Sequence, residues 1–140
     1  MDSSTRFIII DDDKLNNKIC STLIEKLFKD ANITTFTDAR EGVEFIKTEY
    51  SNPDLTDLGI LFLDIKMPLM DAWEFLDVYD TLDDEIKKKI RIYILSSSID
   101  KRDMDRAQAN KHVVYYLIKP LTRESISLIT HALKKREGLI

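Results

Sequence analysis

Residues that do covalent work in many proteins are scarce here. A single cysteine, Cys20, stands among 140 residues, which excludes an intramolecular disulfide and suits a reducing cytoplasm. Its place in an apolar helical pattern makes it a small buried hydrophobe rather than a reactive thiol. Only two histidines are present, His112 and His131. They fall on the approach to the last strand and on the last helix, away from the strand ends, so they read as structural or surface residues. Three glycines and three prolines exclude fibrous and disordered classes and leave a globular, helix-rich composition. No apolar run approaches the roughly 20 residues that cross a bilayer. No charged, apolar, small-residue progression marks a signal peptide. A net charge of -4 without a basic stripe argues against a nucleic-acid surface. The two basic clusters, Lys87-Lys88-Lys89 and Lys134-Lys135-Arg136, lie late in or just after helix-like segments, where cations complement the helix dipole.

What is present is an alternation of short apolar runs and helical periods, compatible with one compact domain. Met1 to Thr5 reads as a polar tail. Phe7 to Ile10 is a strand covered on both faces and ends at Asp11-Asp12-Asp13. Leu15, Ile19, Leu23 and Leu27 form an i, i+4 row, with Cys20, Ile24 and Phe28 beside it, which predicts an amphipathic helix. Ile33 to Phe36 is a second strand, and Asp38 caps a helix whose apolar face is Ala39, Val43 and Ile46. Gly59 to Leu63 is the most apolar strand, closed by Asp64. Asp71 and Glu74 form a capping box for a helix carrying Trp73, Phe75, Leu76, Val78, Tyr79 and Leu82 on its apolar side. Arg91 to Leu95 is a fourth strand ending at Ser96-Ser97-Ser98. A sparsely apolar helix follows over 100–110, with Met104, Ala107 and Ala109 as its main apolar positions. Val113 to Ile118 is the fifth strand, ending at Lys119-Pro120. Thr122 then caps a last helix over 122–136, whose inward residues are Ile126, Ile129 and Leu133, with Leu121 stapled against Ile126.

Five β/α alternations with short connections predict an α/β fold, a doubly wound five-stranded parallel sheet of order 2-1-3-4-5, flavodoxin-like, over about residues 6–136. In such a sheet every strand's carboxyl end lies on one edge. Asp11, Asp12, Asp64, Ser96 and Lys119 therefore converge, which none of them implies alone. Carboxylates of Asp11, Asp12 and Asp64 within a few ångströms of one another would repel and raise a pKa unless a cation sat among them. Mg²⁺ suits that site, since it takes one or two carboxylates plus waters and phosphate oxygens. A metal, a carboxylate, a hydroxyl and a lysine form a set for phosphoryl transfer. Lys119 and the metal neutralise the oxygens, Ser96 donates a hydrogen bond, and one carboxylate is the nucleophile.

At this point the chain resembles the receiver domain of two-component response regulators, the chemotaxis-regulator-like fold. The resemblance rests on Phe7-Ile-Ile-Ile-Asp-Asp-Asp13, Leu61-Phe-Leu-Asp-Ile-Lys-Met-Pro68 with Asp71 and Glu74, Leu95-Ser-Ser97, and Lys119-Pro120 after an aromatic. It implies that Asp64 accepts a phosphoryl group from a sensor histidine kinase or histidine phosphotransfer protein. Asp11 and Asp12 would hold Mg²⁺ with Asp64 and the backbone carbonyl of Lys66. Ser96 would be the switch hydroxyl, Lys119 the phosphate-binding cation and Tyr116 the aromatic that turns inward on activation. The Lys119-Pro120 bond is usually cis in the family. A downstream protein target would dock on the helix over 100–110, strand 113–118 and helix 122–136, and the chain's end at Ile140 implies no output domain.

Departures from the family pattern are Ala72 in place of a common glycine, Ser97 in place of a common alanine, and Asn110-Lys111-His112-Val113-Val114 before the last strand. Lys66, two residues after the acceptor, is expected near the phosphoryl group, where it would modulate hydrolysis. A phosphatase resembling haloacid dehalogenases would need an acid at position 66 and a cap insertion. A receiver kept only as a binding module would lack a reacting residue, and none is missing.

Overall fold

The computed structural model describes residues 5–136, with side chains through Leu133. The expectations for Met1–Ser4 and for the side chains of Lys134-Lys135-Arg136 lie outside what is described. Thr5, expected in a loose tail, is buried. The elements run β1 (Arg6–Ile10), α1 (Lys14–Leu27), β2 (Asn32–Phe36), α2 (Ala39–Glu49), β3 (Gly59–Leu63), α3 (Ala72–Asp80), α4 (Asp84–Lys87), β4 (Ile90–Ser96), α5 (Lys101–Ala109), β5 (Val113–Ile118) and α6 (Arg123–Arg136). The strands form one parallel sheet in the order β2-β1-β3-β4-β5, as the alternation of periods requires.

Side chains of alternate strand residues go to opposite faces, and the core divides accordingly. Ile8, Ile10, Leu61, Leu63, Ile92 and Ile94 pack with α2, α3 and Ala107 of α5. Phe7, Ile9, Ile60, Phe62, Tyr93 and Leu95 pack with Cys20 and Ile24 of α1 and with Ile126, Ile129 and Leu133 of α6. β3 is buried at every position, consistent with its unbroken apolar run. Gly42 allows α2 to lie against β1, because a Cβ there would overlap the Ile10 side chain. The β4–β5 pairing carries an irregularity at Ile92/Tyr93.

The caps follow the sequence closely. Asp13, Asp38 and Asp71 each accept from backbone N–H groups of the helix they open, and Asp71 and Glu74 complete the capping box. Thr122 Oγ1 accepts from Ser125 N at 3.1 Å. Three details differ from expectation. Leu15 and Ile19 are 67% and 46% exposed, and the buried row of α1 is instead Asn16, Cys20 and Ile24, beside Asn17. Val78 faces outward, while α5 packs as shallowly as its few apolar positions predict, with Ala107 alone buried. The single turn α4 was not anticipated, because four residues carry no readable period. Among the described residues no helix is long and apolar enough to cross a membrane.

Candidate functional site

β1 and β3 lie side by side with Ile10 opposite Leu63, so the residues that follow them, Asp11 and Asp64, emerge together. Asp64 N donates to Ile10 O at 3.0 Å and Asp11 N to Phe36 O at 3.0 Å, which extends the ladder into the site and fixes both backbones. Asp11 is 2% exposed and Asp64 8%, whereas Asp12 faces solvent. One carboxylate oxygen from each of Asp11, Asp12 and Asp64 lies within 4.8 Å of the others. Lys119 follows β5, its bond to Pro120 is cis, and its amide donates to Ser96 O at 2.9 Å. Its ammonium is 2.7 Å from Asp11 Oδ2 and 3.5 Å from Asp64 Oδ1.

Burial, and next the Asp11 charge, push the Asp64 carboxyl up to about 6 against the opposing pull of Lys119. Burial alone would lower Lys119, but hydrogen bonding to Asp11 and the charges of Asp64 and Asp11 raise it, so it stays an ammonium. Lys119 thus pairs with two of three clustered carboxylates. Hard oxygen donors, close enough to be bridged and short of positive charge, fit a hard divalent ion that keeps part of its water shell.

Ser96 is buried, and its Oγ accepts from Ser98 N at 3.1 Å. Ser98 is tied on every side. Its carbonyl accepts from the Tyr116 hydroxyl at 2.8 Å, and its Oγ donates to Asp103 Oδ2 at 2.7 Å while accepting from Asp100 N at 3.2 Å. Tyr116 is half-buried against the core, so β5, the loop after β4 and the first turn of α5 are joined through one residue. Lys66 is exposed on the wall of an open groove with Trp73 and Asp103. Asp100 is held at about 2, chiefly by hydrogen bonds from Arg102, and the Lys66 charge acts in the same direction. Ala72 is fully buried and its amide donates to Ile65 O at 3.0 Å. Ser97 is exposed.

Residues read as structural are so. Burial raises the Cys20 thiol to about 11, leaving it a neutral hydrophobe. His112 Nε2 meets Asp80 Oδ1 at 2.7 Å, its ring edge-on to Tyr79, and His131 is exposed. Two site residues were missed. Asn16 Nδ2 donates to Asp11 Oδ2 at 2.8 Å, and Asn17 Nδ2 to Asp11 O at 2.9 Å. Running the Cys20–Ile24 row back one turn reaches Asn16, a polar residue at a buried position and so one in need of a partner.

A doubly wound sheet that gathers acids, a hydroxyl and a lysine at its carboxyl edge is a chemotaxis-regulator-like fold of the flavodoxin type. The family model of the response regulator receiver domain matches residues 7–131, and the chain belongs to that family. It superposes on a two-component response regulator from Cytophaga hutchinsonii with a TM-score of 0.82 at 27% identity, covering 94% of this chain and 97% of that one. A response regulator receiver protein from Dyadobacter fermentans gives 0.78 at 28% identity, over 94% and 96%. An uncharacterised response regulatory protein of Staphylococcus epidermidis is 27% identical over 132 residues, 94% of this chain. The chain spans about half the length of that relative, 47%. Receiver domains are signalling phosphoacceptors of two-component systems rather than classical enzymes, and they generally bind Mg²⁺ at an acidic pocket.

Proposed function

We propose that Asp64 accepts a phosphoryl group from a phosphohistidine on a sensor histidine kinase or histidine phosphotransfer protein in the cytoplasm, and that the acyl phosphate switches a protein-binding surface. The observation that carries this is Lys119 lying between two buried carboxylates, one of them pushed up to about 6. Mg²⁺ would be held by Asp11, Asp12, Asp64 and the backbone carbonyl of Lys66, and it supplies positive charge to the phosphoryl oxygens.

An Asp64 oxygen attacks phosphorus as the bond to the donor imidazole nitrogen breaks, and the electron pair returns to the ring. Lys119 shifts from Asp11 toward the new phosphoryl oxygens, and the Ser96 hydroxyl turns its proton to another. Such catalysis is positioning and charge neutralisation, and the same groups serve the attack of water that ends the signal. Movement of Ser96 pulls on Ser98, and Ser98 holds both Tyr116 and Asp103. The signal therefore leaves through α5, β5 and α6, where a target protein docks. Incubation with Mg²⁺ and acetyl phosphate should give an acid-stable, alkali-labile label. Labelling that persists in Asp64→Asn would refute the assignment.

A further inference from the structure

Asp11 is the most enclosed acid of the site, and three donors surround its carboxylate. Asp13 N donates to Oδ1 at 2.9 Å, while Asn16 Nδ2 and Lys119 Nζ both reach Oδ2, at 2.8 and 2.7 Å. The first two donors are fixed by the chain. Asp13 N is main chain, and Asn16 sits in the first turn of α1, 8% exposed. A carboxylate can only accept, so the amide nitrogen of Asn16 is the atom facing it. The third donor is shared, because Lys119 also lies 3.5 Å from Asp64.

We propose that Asn16 is a positioning residue for phosphoryl transfer, holding Asp11 Oδ2 in place as a neutral donor so that Lys119 is free to leave it. The inference rests on Asp64 being the phosphoryl acceptor. A buried carboxylate that loses its ammonium must swing, take a proton or keep the ammonium. With Asn16 in place, Oδ2 retains a hydrogen bond when Lys119 moves to the phosphoryl group. A cation at position 16 would neutralise Asp11 and compete with a divalent ion. An apolar residue would leave Lys119 as the only donor to Oδ2 and so pin it there. The amide does neither, which accounts for a polar residue on the buried row of α1.

The test compares wild type, Asn16→Leu, Asn16→Asp and Asp64→Asn. Mg²⁺ alone is titrated by calorimetry, and the initial rate of labelling by acetyl phosphate is measured at saturating Mg²⁺. Groups that orient metal ligands are typically worth about 10- to 100-fold in affinity or activity. Asn16→Leu should therefore weaken Mg²⁺ binding about tenfold and slow labelling at saturating Mg²⁺ by a similar factor. Asn16→Asp should bind Mg²⁺ no more weakly than wild type yet label about tenfold more slowly, because Lys119 is then held by two acids. A merely structural role would lower the melting temperature and leave both readouts unchanged. Wild-type Mg²⁺ affinity and rate in folded Asn16→Leu would overturn the proposal, and if that variant does not fold, a wild-type labelling rate in Asn16→Asp would. A wild-type protein that takes no label would refute the acceptor reading itself and this inference with it. A labelled wild type beside unimpaired Asn16 variants would overturn the inference alone.

Discussion

At each end of the sheet one cation lies between two acids. At the amino ends of the strands, Arg6 meets Glu49 at 2.9 Å and Asp57 at 3.1 Å. At the carboxyl ends, Lys119 meets Asp11 at 2.7 Å and Asp64 at 3.5 Å. The arrangements look alike and differ in two physical respects. Glu49 and Asp57 keep 42% and 28% of their side-chain surface, whereas Asp11 and Asp64 keep 2% and 10%. Water shares the load at the first edge and hardly at the second, where Asp12 adds a third carboxylate. The cations differ as well. A guanidinium fork fixes two acids in one geometry, while an ammonium on a flexible stem is a point charge that can be moved. One edge is a staple, and the other is a site short of positive charge.

The two edges should respond differently to mutation. Asp64→Asn should abolish labelling by acetyl phosphate while the protein still folds, as judged by its circular dichroism spectrum. Lys119→Ala strips two buried acids of their counter-ion and should cost roughly 4 kcal/mol in metal-free urea unfolding at pH 7, with Mg²⁺ restoring part of it. The pH dependence sharpens the contrast. Burial holds the folded Asp64 carboxyl up at about 6 against its ordinary 3.8, so the folded state binds more protons between those values. Metal-free stability should then fall as pH rises from about 4 to about 6, by on the order of 3 kcal/mol, and this fall should disappear in Asp64→Asn. Arg6→Ala, at the partly solvated edge, should cost about 1 kcal/mol and leave labelling at the wild-type rate. The smallest effect concerns Lys66. Lys66→Ala should change the lifetime of the acyl phosphate severalfold, and an unchanged lifetime would remove Lys66 from the chemistry.

The sheet order and the convergence of Asp11, Asp12, Asp64 and Lys119 were legible because an apolar strand ending abruptly in a charged residue is a sharp signal, repeated at several strands. Ser96 was legible in the same way, but its bond to Ser98 was not, since loop hydrogen bonds leave no period. The face of α1 was misjudged because Leu15 and Ile19 outweighed Asn16 in a pattern scored on hydrophobicity. A buried amide paired with a buried carboxylate satisfies the same burial that a leucine would, by hydrogen bonding instead of area. The direction of Lys66 was equally hidden, because a long exposed side chain is placed by its neighbours rather than by its position in the chain.

Mapping the phosphorylated residue is the most direct test of Asp64 as the acceptor. After reaction with acetyl phosphate and Mg²⁺, borohydride reduction converts an aspartyl phosphate to homoserine, and the peptide spanning 59–68 can be sequenced by mass spectrometry. Homoserine should appear at position 64 and nowhere else. Homoserine at position 11 or 12, or at no position in a protein that binds Mg²⁺, would contradict that assignment.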